Sequence, residues 1–234
     1  MNSIVNSGSR KTVAVVDYGM GNLRSVTNAV IAAARGLDID VVWARSPEEV
    51  MAAERVVLPG QGAIRDCMRE LHDSGMYPAV MHALANKPVM GVCVGMQMLL
   101  DHSQEGYPGD AGQGTACLGQ IHGEVIKFDL AGQIQPDGSR YKVPQMGWNQ
   151  VYQTGHTLAP HPIWEGVPDG SYFYFVHSFF AKPSDARNSV GETDYGQRFS
   201  SAIARDNIFA TQFHPEKSAN HGLTLYRNFL HWNP

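Results

Sequence analysis

The sequence predicts an α/β domain of three layers: an open, mixed sheet, parallel in its N-terminal half with antiparallel additions later, covered by helices. Three observations carry this. Strand-like and helix-like segments alternate over the first hundred residues, which argues for βαβ units and a parallel sheet buried on both faces. After Asp101 the alternation stops and strand-like runs dominate. The 234 residues, 43% hydrophobic, suffice for one large core and form no internal repeat.

Thr12–Tyr18 is apolar and β-branched and reads as the first strand, punctuated by Gly19–Gly21. From Asn22 to Arg35, Leu23, Val26, Val30 and Ile31 fall at helical spacing, with Gly36 as the stop. Asp38–Trp43 and Arg55–Leu58 read as strands around a short helix at Pro47–Ala53. Helices follow at Ala63–Leu71 and Tyr77–Ala85, then a strand at Pro88–Cys93 and a helix running on from Val94 or Gly95 through Met-Gln-Met-Leu-Leu. Ser103–Thr115, rich in Gly, Asp and Gln, reads as a loop. Strands are expected at Ile121–Phe128, Trp148–Tyr152, Tyr172–Phe180 and Ile208–Phe213, and a final helix at Gly222–Trp232. The polar stretch 1–11 is expected to be a flexible N-terminal extension, with one domain over 12–234.

Composition narrows the function. The net charge is −4 and no Lys/Arg run occurs, so no nucleic-acid partner is expected. Met1–Lys11 has no apolar core of a signal peptide, and no apolar run reaches membrane-spanning length. A cytoplasmic protein without a membrane partner is expected. The three cysteines, Cys67, Cys93 and Cys117, make no CxxC pair and fit a reducing compartment. His156 and His161 read as surface or loop residues, the histidines show no metal-ligand spacing, and neither a metal nor a cofactor is expected. Gly19-Met20-Gly21 lacks the third glycine of a dinucleotide site, where Arg24 stands.

Val89–Gln97 carries the chemistry. An apolar strand runs into Gly91-Val92-Cys93-Val94-Gly95 and then toward a helix, the thiol counterpart of the Gly-x-Ser-x-Gly nucleophile elbow. Such a turn exposes Cys93 at the C-terminal edge of the sheet, where open α/β sheets hold ligands. A helix N-terminus there favours thiolate, and the Val94 N–H would face a developing oxyanion. Alone, the elbow fits equally well a small buried residue in a tight turn. In Phe213-His214-Pro215-Glu216, residues two apart share one side of an extended chain, so Glu216 can orient the imidazole of His214. Alone, this reads as an exposed turn histidine. Together the two segments supply a nucleophile, its base and the group that orients the base.

In combination these motifs resemble the class I (triad-type) glutamine amidotransferases. Pro59-Gly60-Gln61-Gly62, Gly91–Gln97 and Phe213–Glu216 match the family's three signature blocks in order and spacing. Asp17–Val26, Pro144–Asn149 and Tyr174–Ser178 are similar to blocks of one branch, the glutaminase subunits of imidazole glycerol phosphate synthases. The resemblance implies a flavodoxin-like fold and an enzyme that hydrolyses L-glutamine to glutamate and ammonia through a thioester on Cys93. It implies His214 and Glu216 as the other catalytic residues, and backbone N–H groups of Gln61 and Val94 as the oxyanion hole. Gly60, Gly62, Gln97, His177 and Ser178 would hold substrate. Asn22, Met146, Trp148 and Asn149 would face a cyclase subunit in a heterodimer, to which ammonia passes for synthesis of imidazole glycerol phosphate and AICAR in L-histidine biosynthesis. Gln61 and Gln145 depart from the family's usual small aliphatic residue and histidine, and Phe179 from a frequent tyrosine. The stretches 103–115 and 130–141 look long. Two other classes stay open: the glutaminase of another synthase or a γ-glutamyl hydrolase on the same elbow, and a catalytically silent interaction module.

Free ammonia near neutral pH is mostly protonated and lost as a nucleophile. A biosynthetic glutaminase therefore needs its acceptor close by, and the amidohydrolase elements already occupy Val13 to Trp232. The acceptor enzyme is expected on a second chain.

Overall fold

A computed structural model describes residues 10–106, 112–154 and 159–234. Residues 1–9 of the expected extension, 107–111 of the expected loop, and His156 lie outside the described residues. The chain runs β1 (Lys11–Val16), α1 (Leu23–Ala33), β2 (Ile39–Ala44), α2 (Pro47–Ala52), β3 (Arg55–Gly60), α3 (Ile64–Asp73), α4 (Tyr77–Asn86) and β4 (Val89–Cys93). A single turn, α5 (Val94–Gln97), leads to β5 (His102–Ser103), β6 (Thr115–Ala116), β7 (Gly123–Lys127), β8 (Gln145–Gln153), β9 (Ser171–His177) and β10 (Phe179–Pro183). β11 (Ser189–Asp194), β12 (Arg198–Arg205), β13 (Ile208–Thr211) and α6 (Ala219–His231) complete it.

Local chemistry explains the first half. In α1, Leu23, Val26, Ala29, Val30 and Ala33 are buried at helical spacing, while the expected stripe member Ile31 is exposed. α2 starts at a capping box: Glu49 N–H donates to Ser46 Oγ at 3.3 Å and Ser46 N–H to Glu49 Oε2 at 3.1 Å. Every residue of β3 and β4 is buried, as central parallel strands require. The sheet order is β2-β1-β3-β4-β13-β12-β10-β7-β5-β6. The first five of these strands pair in parallel. From β13 onward β12, β10 and β7 join antiparallel, so the mixed sheet is as expected. The β8–β9 hairpin hangs on this sheet through β11.

Three expectations need correction. The helix after Cys93 ends after one turn, because the carbonyls of Met98, Leu99 and Leu100 accept from Leu118, Gln120, Ile121 and Gly119 instead of extending a helix. The run Tyr172–Phe180 is two strands broken at Ser178: β9 pairs with β8, and β10 with β7. β11 and β12 were not expected, since their interior positions Ser189, Thr193 and Ser201 are small and polar and blur the period-two apolar pattern.

An aromatic cluster joins the hairpin to the main sheet. Phe173 packs tilted against Phe213 with centroids 4.2 Å apart, and Trp164 lies 6.2 Å from Phe173. All three are buried. Phe173→Ala is expected to cost about 3–5 kcal/mol of stability, read as a lower denaturant midpoint with an unchanged slope.

Candidate active site

Cys93 ends β4 with φ +55°, a left-handed backbone that a residue with a side chain adopts only when the surroundings enforce it. Enforcement comes from the strand next door. Gly60 is the register partner of Cys93, and a Cβ on Gly60 would sit 2.5 Å from the Gly95 nitrogen and 2.9 Å from Val94 Cβ. A Cβ on Gly95 would collide with the Leu58 carbonyl oxygen. Glycine at 60 and 95 is what lets the α5 turn lie against β3 and leaves Cys93 on the corner.

The corner opens into a cavity of about 330 Å³. Gln61, Gly62, Cys93, Val94, Gln97, His177, Ser178 and His214 all line it, brought together from four separate stretches of the chain. Gly60 supports the turn from below rather than lining the cavity. His214 is buried, and Glu216, whose side chain is 0% exposed, lies behind it with Oε1 2.8 Å from Nδ1. Glu216 holds Nδ1–H, so Nε2 is the nitrogen left for chemistry. Burial pulls the His214 imidazolium down, but the facing Cys93 sulfur and then Glu216 outweigh it and hold its pKa up at about 10. Because α5 is one turn, the helix dipole expected at Cys93 is short.

The cavity's far wall is a network of amides. Gln97 Nε2 donates to the Phe179 carbonyl at 2.9 Å and to Gln212 Oε1 at 3.0 Å. Gln212 Nε2 in turn reaches 3.9 Å from Cys93 Sγ. His177 Nδ1 donates to the same Phe179 carbonyl at 2.8 Å, and Nε2 is 3.0 Å from the Gln145 side-chain amide. Burial pushes the His177 pKa down to about 4, so this ring is neutral at pH 7. A neutral ring with its proton on Nδ1 accepts at Nε2, so the Gln145 amide, placed with Oε1 at 3.0 Å, bonds it once flipped to present its NH₂.

Asn22, Met146, Trp148 and Asn149 lie outside the cavity. Met146 is 66% and Trp148 51% exposed on β8, beside the strand that carries His177. Asn149 Nδ2 donates to the Asp194 carbonyl at 2.8 Å. Sequence reasoning overlooked Gln212, although it stands two residues before His214 and the period-two rule that joined His214 to Glu216 reaches it as well. It also overlooked Glu105 and Lys217, which line the cavity. Glu105 comes from the polar loop, where no period marks it. His161 is a loop residue as expected, half-buried against Phe209 and Trp232, 5.0 Å from each. Among the described residues no three His, Cys, Asp or Glu side chains group to hold a metal ion.

A strained cysteine at a strand end, a histidine oriented by a carboxylate, and an amide-lined cavity define a thiol amidohydrolase site on a doubly wound sheet. The match to the family model "Glutamine amidotransferase class-I" extends over residues 14–232, and the chain belongs to that family. It is 52% identical over 223 residues to the imidazole glycerol phosphate synthase subunit HisH of Aromatoleum aromaticum, covering 95% of this chain and 99% of that one. The HisH subunit of Dechloromonas aromatica is 50% identical, with 96% and 98% covered. Among solved structures, a glutamine amidotransferase superposes with a TM-score of 0.63 at 17% identity, covering 94% of this chain and 97% of that one. The glutaminase domain of Trypanosoma brucei CTPS gives 0.59 at 15%, covering 96% and 95%. At those identities the likeness is one of fold.

His214 is expected to titrate near pH 10 by NMR, staying an imidazolium through neutrality. Its folded pKa is raised, so the attraction it gains is present at neutral pH and lost as pH rises through that midpoint. Cys93→Ala and Glu216→Gln each remove a raising partner and lower the midpoint. A His214 titrating at its ordinary 6.5 in the intact chain would contradict this reading.

Proposed function

We propose that this chain is the glutaminase subunit of an imidazole glycerol phosphate synthase, hydrolysing L-glutamine and passing ammonia to a cyclase subunit in L-histidine biosynthesis. The close relation to HisH subunits over nearly the whole chain supports the pathway. One observation carries the chemistry: left-handed Cys93 shares a cavity with His214, whose Nδ1 is held at 2.8 Å by Glu216.

Cys93 thiolate attacks the side-chain amide carbon of glutamine. The amide oxygen takes up the negative charge, and the N–H groups of Val94 and Gln61 stabilise it. The proton on His214 Nε2 goes to the leaving nitrogen, the C–N bond breaks, and ammonia departs from a thioester. His214, now neutral, takes a proton from water as the water oxygen attacks the thioester carbon. A second oxyanion collapses, the C–S bond breaks, and glutamate leaves with Cys93 restored as thiolate beside imidazolium. Glu216 accepts from the Nδ1–H throughout and fixes the ring.

Gly62, Gln97, His177 and Ser178 line the cavity and hold the substrate in this reading, while Gly60 acts through the turn it supports. The amide of Gln97 is pinned by its nitrogen, which turns its oxygen to a ligand. Neutral His177 shapes the pocket without adding charge. Asn22, Met146, Trp148 and Asn149 face the cyclase, supported by the exposure of two large apolar side chains, Met146 and Trp148, next to the cavity strand. The partnership is read as a heterodimer of soluble, cytoplasmic proteins, with a short N-terminal extension ahead of the amidotransferase domain. No helix among the described residues is long and apolar enough to cross a membrane.

Cys93→Ala is expected to lower glutamate formation by more than about a thousandfold while the chain still binds the cyclase. Residual turnover above that level would remove Cys93 from the nucleophile's role. Trp148→Ala is expected to weaken cyclase binding by about 2 kcal/mol, roughly thirtyfold in Kd, with the far-ultraviolet circular dichroism unchanged. Binding at wild-type strength would place the interface elsewhere.

A further inference from the structure

Gln212 stands where the two halves of the site meet. Thr211 is the register partner of Val92, so Gln212 leaves β13 beside the point where Cys93 ends β4. Its N–H donates to the Ser201 carbonyl of β12 at 2.8 Å, and the residue is fully buried behind the cavity, which it does not line. Gln97, four residues after Cys93 at the end of the α5 turn, is buried as well but does line the cavity. The two amides can meet in only one order. A backbone carbonyl only accepts, so the Gln97 atom 2.9 Å from the Phe179 carbonyl is its nitrogen. That NH₂ gives its second hydrogen to Gln212, whose facing atom at 3.0 Å is therefore the oxygen. The nitrogen of Gln212 is left on the Cys93 side, with Nε2 3.9 Å from Sγ.

We propose that Gln212 is a positioning residue that couples the Cys93 sulfur to the aim of the Gln97 amide. The inference rests on the reading of Gln97 as a substrate-binding residue. The oxygen of Gln212 holds the Gln97 nitrogen back, so that Gln97 presents its own oxygen, an acceptor, to a ligand. The nitrogen of Gln212 brings an N–H to the sulfur, and a charged sulfur accepts more strongly than a thiol. A donor there favours the thiolate. One amide serves both partners, so neither contact can be reversed alone. Turned over, Gln212 would set NH₂ against the NH₂ of Gln97 and its oxygen against the thiolate. The Phe179 carbonyl at the far end fixes the direction of the whole chain.

Gln212→Met, Gln97→Met and the double variant test this in the full chain, in complex with the cyclase. Two readouts are taken: KM for glutamine, and the pH profile of Cys93 alkylation by iodoacetamide, followed on its own peptide by mass spectrometry. Methionine keeps the length of the side chain and removes both polar groups. Gln212→Met is expected to raise KM about tenfold and to slow alkylation about threefold below neutral pH, each the size of one lost hydrogen bond, with the alkaline plateau unchanged. The double variant should show the KM of Gln97→Met, because Gln212 acts on substrate through Gln97. An unchanged KM in Gln212→Met overturns the proposal, as do KM effects that add or an alkylation profile matching wild type. Should Gln212→Met not fold, Gln212→Asn, one methylene too short to span both partners, takes its place in the same cycle. The parent reading fails differently: Gln97→Met would then keep the wild-type KM, and the proposal would fall with it.

Discussion

The backbone of Cys93 sits at φ +55° only because two neighbouring backbones leave it no alternative. A side-chain-bearing residue in that region costs about 1–3 kcal/mol. β3 and the α5 turn interlock at Gly60 and Gly95 so closely that neither position has room for a Cβ. That contact stands on the parallel pairing of β3 with β4, whose residues are buried on both faces. The sheet thus supplies the stability that holds a strained corner, and the corner sets the sulfur at the cavity. Burial acting alone raises a thiol's pKa and silences it, as at buried Cys67 and half-buried Cys117, pushed up to about 11 and about 12.

Electrostatics follow from the same enclosure. Buried His214 would be neutral if burial acted alone, and His177, buried nearby without a carboxylate partner, is held down to about 4. His214 goes the other way, to about 10, because it has the Cys93 sulfur on one side and Glu216 on the other. Two histidines one cavity apart therefore take opposite protonation states. One stays protonated beside the Cys93 sulfur, and the other is a neutral wall. β9 delivers His177 and the segment after β13 delivers His214, joined where His214 N–H donates to the Tyr174 carbonyl at 2.9 Å.

Most of the parallel half was legible in the sequence because its strands are short apolar runs and its helices carry clean stripes. Cys93, His214 and Glu216 were legible because their spacing has a geometric meaning: a glycine-flanked corner, and residues two apart in extended chain. The antiparallel half was less so. β11 and β12 bury serine and threonine, and no apolar alternation survives to mark them. The length of α5 depended on carbonyls recruited by Leu118–Ile121, a contact from about twenty residues further on. Gln212 was within reach of the period-two rule. Glu105 reaches the cavity only after folding, when its carboxylate accepts from the Ile64 N–H 41 residues away.

In the proposed chemistry Cys93 is the residue that bonds covalently to substrate. The most direct measurement is acid quenching of the working complex during glutamine turnover, followed by peptide mass spectrometry of all three cysteines. The account predicts a glutamyl adduct on the peptide containing Cys93, lost in Cys93→Ala, with Cys67 and Cys117 unmodified. Steady turnover with no adduct under conditions where deacylation limits the rate, or an adduct on either other cysteine, would contradict it.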